Sequence, residues 1–579
     1  MRKHLPYIGF LIAFLGIFFY GMNMSDILGH DYFFTFPRLL TGNWHFAHQG
    51  LKPFLYTPQL CGGLPIYANP QDMFYSLPQF LSFIMDPWRA VLLSLCMTMV
   101  VGYTGWYRVG KDILRLPLRW AHVLALVIVA NGYYFMHMLI GHIVFHTIPL
   151  IGWGLWLLFD PRTDTRKTLA LRSCAFAALL AVMLYSGGYF VIVLLMGTVL
   201  IALTFDLLLS SNPQKRCKTL GARLLMSASL GLFLCLSKLI AVLSYMRFFP
   251  RETPFDTFPK GASTIGFFFK SLWAIPQNTA LFTSVNMPDW GAIHEYSRFT
   301  SPIVLVGLLL GIWFLWKQRK AIQQNTTRSL LLLGISVALM IFFVQLIRGY
   351  GLLVTPLETV PFFSSWHVML RFMYIPIVFL SGISIWTIAQ SPWNNNRFAF
   401  TAIGITLFSA IFAYAPMLQS KDFGYTVPYP QIQENIRTSN YRSLITERVE
   451  SIPGVSDTHG IFNGSTATPC YEPVYWGTGG VQLDPLFIGT VDGLFEEQFN
   501  MYNPACLVYP EANDCIPGDR IALEDYSNLV AFTHGEPTTW KVSGWQSLGN
   551  LLSIATLLII IILMTSLCVA RIKSCTMRE

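Results

Sequence analysis

Apolar runs long enough to cross about 30 Å of hydrocarbon recur along this chain, near residues 5–24, 88–107, 119–137, 143–159, 168–186, 189–209, 220–246, 300–316, 328–347, 368–389, 398–416 and 548–570. Lipid offers the backbone no hydrogen-bond partners, so a single segment passes through it only as a helix. The runs predict an α-helical polytopic membrane protein of about twelve transmembrane helices. Composition agrees, with 54% hydrophobic residues, 12% charged and a mean hydropathy of +0.50, outside the range of an ordinary water-soluble domain. The first run follows the basic Met1-Arg2-Lys3-His4, but it is too long for a signal sequence and no A-x-A cleavage site follows, so a retained first helix is expected.

The basic clusters set the orientation. Arg2-Lys3, Arg108 with Lys111 and Arg115, Arg162 with Arg166-Lys167, Lys215-Arg216 with Lys218, Lys317 with Arg319-Lys320, Arg397, and Arg571 with Lys573 all fall between runs on one side. By the positive-inside rule that side, with both termini, is cytoplasmic. Left outside are 25–87, the turn 138–142, 247–299, 348–367 and 417–547. The last carries six Lys/Arg against sixteen Asp/Glu, a net −10, while the rest of the chain holds about +19. This shift marks an extracytoplasmic domain large enough for its own core. Stretches such as "PVYWGTGGVQLDPLFIG", rich in Gly, Pro, Tyr and Val without helical period, predict strands and loops there. The expected organisation is a transmembrane module over 1–416 with a first outer loop at 25–87, a mixed, strand-rich outer domain over 417–547, and a final helix with a short cytoplasmic tail over 548–579.

Ten cysteines occur without zinc-site spacing. Cys96, Cys174, Cys235 and Cys568 sit inside apolar runs as small core residues. Cys506 and Cys515 bracket a short polar turn on the outer side, where a disulfide persists; Cys61 and Cys470 are weaker candidates for a second bridge. No GxxxxGK[ST], GxSxG or HExxH motif is present, and nothing resembles a nucleic-acid module, since the basic excess belongs to the inner loops.

The first outer loop, "GHDYFFTFPRLLTGNWHFAHQGLKPFLYTPQLCGGLPIYANPQDMFYSLPQFLSFIMDPW", is denser in His, Asp, Asn, Gln and Trp than a connector requires. Long polar loops in a compact assembly usually carry function, and "DMFYSLPQFLSFIM" within it predicts a helix lying on the bilayer surface. A carboxylate directly after the first helix, surface helices in a long first loop, about a dozen spans and a C-terminal outer domain together resemble the GT-C superfamily of membrane glycosyltransferases. More narrowly, "HDYFFTFPRLL" followed by "GGLPIYANPQDMFYSLPQFL" resembles its bacterial YfhO-type members over the first quarter of the chain. The resemblance implies transfer of a sugar from a polyprenyl-phosphate carrier to a cell-envelope glycan, lipid or protein on the outer face of a bacterial cytoplasmic membrane.

Carried over by position, Asp31 is the expected general base, with His30 beside it as a site partner. A carboxylate at the membrane boundary is partly desolvated, which raises its proton affinity toward the useful range. Its structural alternatives are a helix-end residue or an ion pair with Arg38. A leaving phosphate needs cations or hydrogen-bond donors; the outer candidates are Arg371, His367, Arg298 and Arg348, with Arg38, His294 and His142 also on that side. In "SSWHVMLRFMYIP", His367 and Arg371 are four apart, so a helix there shows both on one side. Glu295 or Asp289 is a candidate second acid. Some superfamily branches use a divalent metal and others do not; the usual paired acids are absent beside Asp31, which is flanked by His30 and Tyr32, and this leaves the metal open. Asn69 and Gln71 of the first loop and Trp476 of the outer domain are candidate acceptor contacts. Two other classes fit the architecture: a transporter or flippase for a lipid-linked glycan, which would show polar or broken helices at mid-membrane, and a polysaccharide polymerase or ligase working through loop arginines. Lys238, inside the seventh run, is the main polar interruption, either buried with a partner or at an irregular point in its helix.

Overall fold

Runs built from Leu, Ile, Val and Phe enter lipid as helices at little cost and stop where polar residues begin. The computed structural model describes residues 2–23, 27–162, 164–248, 272, 298–318, 369–419, 427–451, 457–468, 483 and 485–576. Among these, nine helices are long and apolar enough to cross a membrane, and the chain is a multi-pass membrane protein. They coincide with nine of the expected runs. Two more, 143–159 and 300–316, form the shorter apolar helices Ile143–Phe159 and Pro302–Gly311, and 328–347 lies outside the described residues.

In chain order the first half comprises α1 (Leu5–Asn23), α2 (Tyr32–Gln49), α3 (Leu77–Ser82), α4 (Pro87–Arg108), α5 (Leu118–Val129), α6 (Gly132–Ile140), α7 (Ile151–Phe159), α8 (Arg166–Tyr185), α9 (Tyr189–Leu209) and α10 (Pro213–Met246). Then follow α11 (Pro302–Gln318), α12 (Tyr374–Gln390) and α13 (Asn396–Gln419), and the chain ends in α17 (Gly544–Thr576). The span Leu118–Ile140 is broken in two, because Asn131 leaves the helix and its side chain accepts from Tyr134 N–H to cap α6. The expected surface helix in the first loop is the six-residue α3, capped by Ser76 and packed on α2 and α4, with Gln79 and Ser82 buried and Ile84 beyond it exposed.

Helices in lipid gain little from burying apolar area against one another and rely on close packing. Gly102 and Gly105 of α4 lie against Pro149 and Trp153, while Gly152 lies against Trp106. These small residues let α4 and the helix Ile143–Phe159 approach closely. Trp88, Trp106 and Trp120 fill the bundle and are almost fully buried.

Among the described residues, the ion pairs gather toward the two ends of the helices. At one end Arg162 and Arg172 pair with Asp160, Arg172 and Arg223 pair with Asp164, Arg108 and Arg162 meet Asp112, and Arg216 pairs with Asp206. Arg223 also donates to the carbonyls of Leu158, Asp160 and Arg162, satisfying the end of α7. Arg119 joins the same end to the loop at Asn394. These are the loops that the charge count assigns to the cytoplasm.

The opposite end collects the first outer loop, the 138–142 turn, the 186–188 turn and the region after α13. There β1 (Ile27–Leu28) pairs with β4 (Val427–Pro428), and within the first loop β2 (Tyr56–Thr57) pairs with β3 (Leu64–Pro65). Beyond β4 come α14 (Tyr429–Thr438), β5 (Arg448–Glu450), α15 (Asp457–Asn463), β6 (Ser465–Ala467), β7 (Gly489–Thr490), β8 (Leu494–Phe495), β9 (Gln498–Tyr502), β10 (Arg520–Ala522) and α16 (Tyr526–Thr533). The strands form two three-stranded sheets, β6-β5-β7 and β10-β9-β8. They are short and share the region with helices. This region grips the first loop: Asn43 Nδ2 donates to Tyr441 Oη, Trp44 Nε1 to Leu444 O, Gly62 N–H to Thr466 Oγ1, and Tyr502 N–H to Gly62 O. Cys506 and Cys515 form the expected disulfide. Cys61 is also disulfide-bonded; Cys470 lies outside the described residues.

Lys238 is completely buried with a partner. Its ammonium donates to Tyr67 O (2.6 Å), Asn69 O (2.9 Å) and Asp72 Oδ2 (3.1 Å). Nearby, Ser237 Oγ meets Tyr67 Oη and Asn550 Oδ1, and Gln546 donates to Ser237 O, so α10 fastens the first loop to α17.

Two outcomes follow from these ion pairs. Lys238→Met leaves a buried carboxylate and two carbonyls without their cation and is expected to cost about 3–5 kcal/mol; Lys238→Met with Asp72→Leu recovers much of it, as thermal unfolding in nanodiscs would show. At the other end, burial pushes the Asp160 carboxyl up, but the Arg162 and Arg172 guanidiniums outweigh it and hold it below its ordinary value of 3.8. A carboxyl lowered in the folded state stabilises fully above its unfolded value and loses that contribution as pH falls through the folded one. Stability measured against pH should therefore fall below about pH 4 less steeply in Asp160→Asn than in the natural protein.

Candidate functional site

The charged residues with chemistry to offer meet where α2 starts. Asp31 precedes that helix, and its carbonyl accepts from Phe34 and Thr35 N–H. Its side chain takes no capping hydrogen bond. The residue is buried, 8% exposed. Of the two structural alternatives for Asp31, the helix-end position is thus present in the backbone, but the carboxylate is directed elsewhere. Arg38 lies with its guanidinium 3.2 Å from the Phe34 ring centroid and donates to Phe34 O.

The carboxylate meets the end of α6. Asp31 N–H donates to Ile140 O (3.0 Å), Tyr32 Oη to Met138 O (2.8 Å) and Thr35 Oγ1 to Gly141 O (3.0 Å). Gly141 ends α6 in the left-handed conformation, φ 109°. A Cβ there would stand 2.5 Å from Tyr32 N and 2.7 Å from Asp31 C, so only glycine allows both the turn and the approach. The turn delivers His142, whose Nε2 contacts Asp31 Oδ2 directly. His30 Nε2 stands 3.6 Å from Oδ1, a looser contact.

Behind the pair is a wall of rings. His142 packs 5.3 Å from His137 and 5.6 Å from Phe145, centroid to centroid. His137 stacks on Tyr133 at 4.4 Å, and Phe145 continues to Phe190 and Phe372. Two arginines cover this wall: Arg371 lies over Phe145 at 5.4 Å and Arg298 over Tyr133 at 5.0 Å. Arg371 is half-buried in the short 3-10 stretch Met369–Met373 ahead of α12; Arg298 is fully buried and precedes α11.

The structure thus sets His30 and His142 on Asp31, with Arg298 and Arg371 on the ring wall behind His142. Glu295, Asp289, His294, His367, Arg348 and Trp476 lie outside the described residues. Asn69 is buried, its Oδ1 accepting from Gln71 N–H and its carbonyl accepting from Lys238 and Asp72 N–H. Gln71 is half-buried, and its carbonyl packs on Gly187, which also touches Val144, two residues beyond His142. That contact draws the 69–72 turn toward the Asp31 end. Sequence reasoning named His142 only among outer histidines and did not name His137, Tyr133 or Phe145. The signal was present in "HMLIGHIVFH", three histidines within ten residues around a glycine. Among the described residues no group of three or more His, Cys, Asp or Glu is placed to hold a metal ion.

Fold and site together define a multi-pass membrane protein with a carboxylate–imidazole pair and two ring-mounted arginines at one end of its helices. No protein-family model matches the chain, and no curated protein matches it. Among solved structures, the arabinofuranosyltransferase AftD from Mycobacteria is similar at a TM-score of 0.42 and 14% identity, over 78% of this chain and 30% of that one. The chain accordingly spans less than a third of that protein's length.

Gly141→Ala is the sharpest test of the site's construction. Backbone strain and the clash with Tyr32 and Asp31 predict a loss of about 1–3 kcal/mol together with displacement of His142 from Asp31, visible in a density map of the variant.

Proposed function

We propose that the protein is a GT-C-type glycosyltransferase moving a sugar from a polyprenyl-phosphate-linked donor to a cell-envelope acceptor on the outer face of a bacterial cytoplasmic membrane. One observation carries the proposal: a buried carboxylate with an imidazole on it shares a single aromatic wall with Arg298 and Arg371, at the end of the bundle opposite the basic loops.

Transfer of a sugar from a phosphate needs two things of a protein, a base for the incoming hydroxyl and positive charge for the departing phosphate. Asp31 is the base. As the acceptor oxygen forms its bond to the anomeric carbon, its proton passes to the Asp31 carboxylate, and the carbon–oxygen bond to phosphate breaks with the electron pair leaving on phosphate. Arg371 and Arg298 stabilise that charge, and the rings of Phe145 and Tyr133 offer a dry, flat surface beside it. His30 borders the carboxylate on its other oxygen. Gln71, with Asn69 shaping its turn, faces the acceptor. Glu295 as a second acid, His367 and Arg348 as further phosphate ligands, and Trp476 as a sugar platform complete the proposal from the sequence.

Lys238, the residue that gave a transporter its foothold, is closed by two carbonyls and Asp72 and serves the first loop instead. A buried ammonium so enclosed suits a fixed clamp better than a substrate path.

The test uses the purified full chain in nanodiscs, given undecaprenyl-phosphate-linked hexoses and pentoses, with release of undecaprenyl phosphate as readout. Asp31→Asn is expected to lose at least 10²-fold in rate while eluting and melting like the natural protein. Arg371→Gln should lose about 10²-fold and weaken binding of undecaprenyl phosphate itself in native mass spectra. Turnover by Asp31→Asn within tenfold of the natural protein removes Asp31 as the base.

A further inference from the structure

We infer that His142 is the positioning residue that makes Asp31 competent, holding its carboxylate charged and fixed in direction; the inference rests on the transferase reading above. Burial makes an isolated carboxylate costly and drives it toward the neutral acid, which cannot take a proton. A donor on one oxygen reverses that preference and leaves the carboxylate with a single orientation. With the proton on Nε2, His142 is such a donor to Asp31 Oδ2.

The imidazole does not arrive there by chance. His142 N–H and the Gly141 N–H both bond to His137 O, ending α6. Gly141 O is taken by Thr35, Met138 O by Tyr32, and Ile140 O by Asp31 itself. Backbone and side chains at the start of α2 are therefore bolted at three points to the turn that carries His142. The ring is further confined between His137 and Phe145. A side chain held on a rigid turn by its neighbours' packing is how an orienting group must be built if it is to set geometry to a fraction of an ångström.

Among the described residues, other charged or titratable groups also lie near Asp31. His30 stands at 3.6 Å on its own turn, and His137 lies behind His142 on α6. Arg371 and Arg298 lie over Phe145 and Tyr133. Arg38, further along α2, lies on Phe34. His142 makes a closer contact with the carboxylate than His30 does, so its removal should act on the protonation of Asp31 more strongly. A merely structural staple would weaken the fold and slow turnover without moving that protonation.

Infrared titration of the nanodisc-embedded protein separates the two roles, with the Asp31 carboxyl stretch isolated as the difference between the natural protein and Asp31→Asn. In His142→Phe, Asp31 is expected to take up its proton at a pH higher by one unit or more, while His142→Gln, which keeps an N–H donor, stays within about half a unit. Turnover of the undecaprenyl-phosphate sugars should fall about 10–100-fold in His142→Phe, in kcat more than in KM, and recover in part in His142→Gln. Where the phenylalanine variant does not fold, His142→Asn, too short to reach Oδ2, is expected to show the same upward shift. Superimposable Asp31 titrations in the natural protein and in a folded His142→Phe or His142→Asn overturn the inference. A shifted titration alongside an active Asp31→Asn supports the pairing and removes Asp31 as the base; an unshifted titration alongside an inactive Asp31→Asn keeps Asp31 as the base and removes the pairing.

Discussion

A bilayer gives polar groups nothing to bond to, and this one constraint sorts the molecule. Among the described residues, ion pairs gather toward the two ends of the helices, with Lys238 inside α10 held by the first loop, and the ends differ in what they do with their charges. At the basic end, Asp160, Asp164 and Asp206 are consumed by arginines that also finish helix termini. That end is a closed network, with each of these carboxylates answered by a guanidinium. At the other end Asp31 is answered by an imidazole, and the guanidiniums of Arg298 and Arg371 stand over aromatic rings.

The same constraint explains why the site is made of short, irregular pieces. Asp31 ends a two-residue strand and a turn, His142 begins a 3-10 turn, and Arg371 lies in another. Long helices fix the frame, but a residue inside one faces lipid or a neighbouring helix. Only at helix ends does a side chain reach both a lipid-borne and a water-borne molecule. Gly141 is where this becomes a steric requirement, since the end of α6 and the start of α2 touch through backbone.

Much of the frame was legible from sequence because hydrophobicity is a local property: a run of twenty apolar residues declares itself without its neighbours. Asp31 was legible for a related reason, being a carboxylate out of place beside such a run, and Cys506 with Cys515 because a short separation makes their pairing local. The break in Leu118–Ile140 was missed although Asn131-Gly132 marks it, since apolar content continues across it. The partnership of Asp31 with His142 was not legible, for the tie between α2 and α6 joins residues 106 apart, as Tyr32 and Met138 show. Lys238 with Asp72, 166 residues apart, likewise looked like an anomaly in one helix until the first loop was seen closing over it. Pairings of this kind depend on which helices are neighbours, and apolar patterning does not encode that order residue by residue.

The grip of the C-terminal outer region on the first loop has a consequence for how the protein comes into being. Trp44 bonds to Leu444 and Gly62 to Thr466, separations of 400 and 404 residues, and Ile27-Leu28 finds its strand partner at Val427-Pro428. At roughly 5–20 residues per second, a ribosome needs on the order of twenty seconds to over a minute between making the first of these partners and the second. Throughout that interval the first loop lacks these partners. The turn carrying Asp31 is therefore among the first pieces synthesised and among the last to be locked, and a chain cut short after α13 would leave the first loop without these partners.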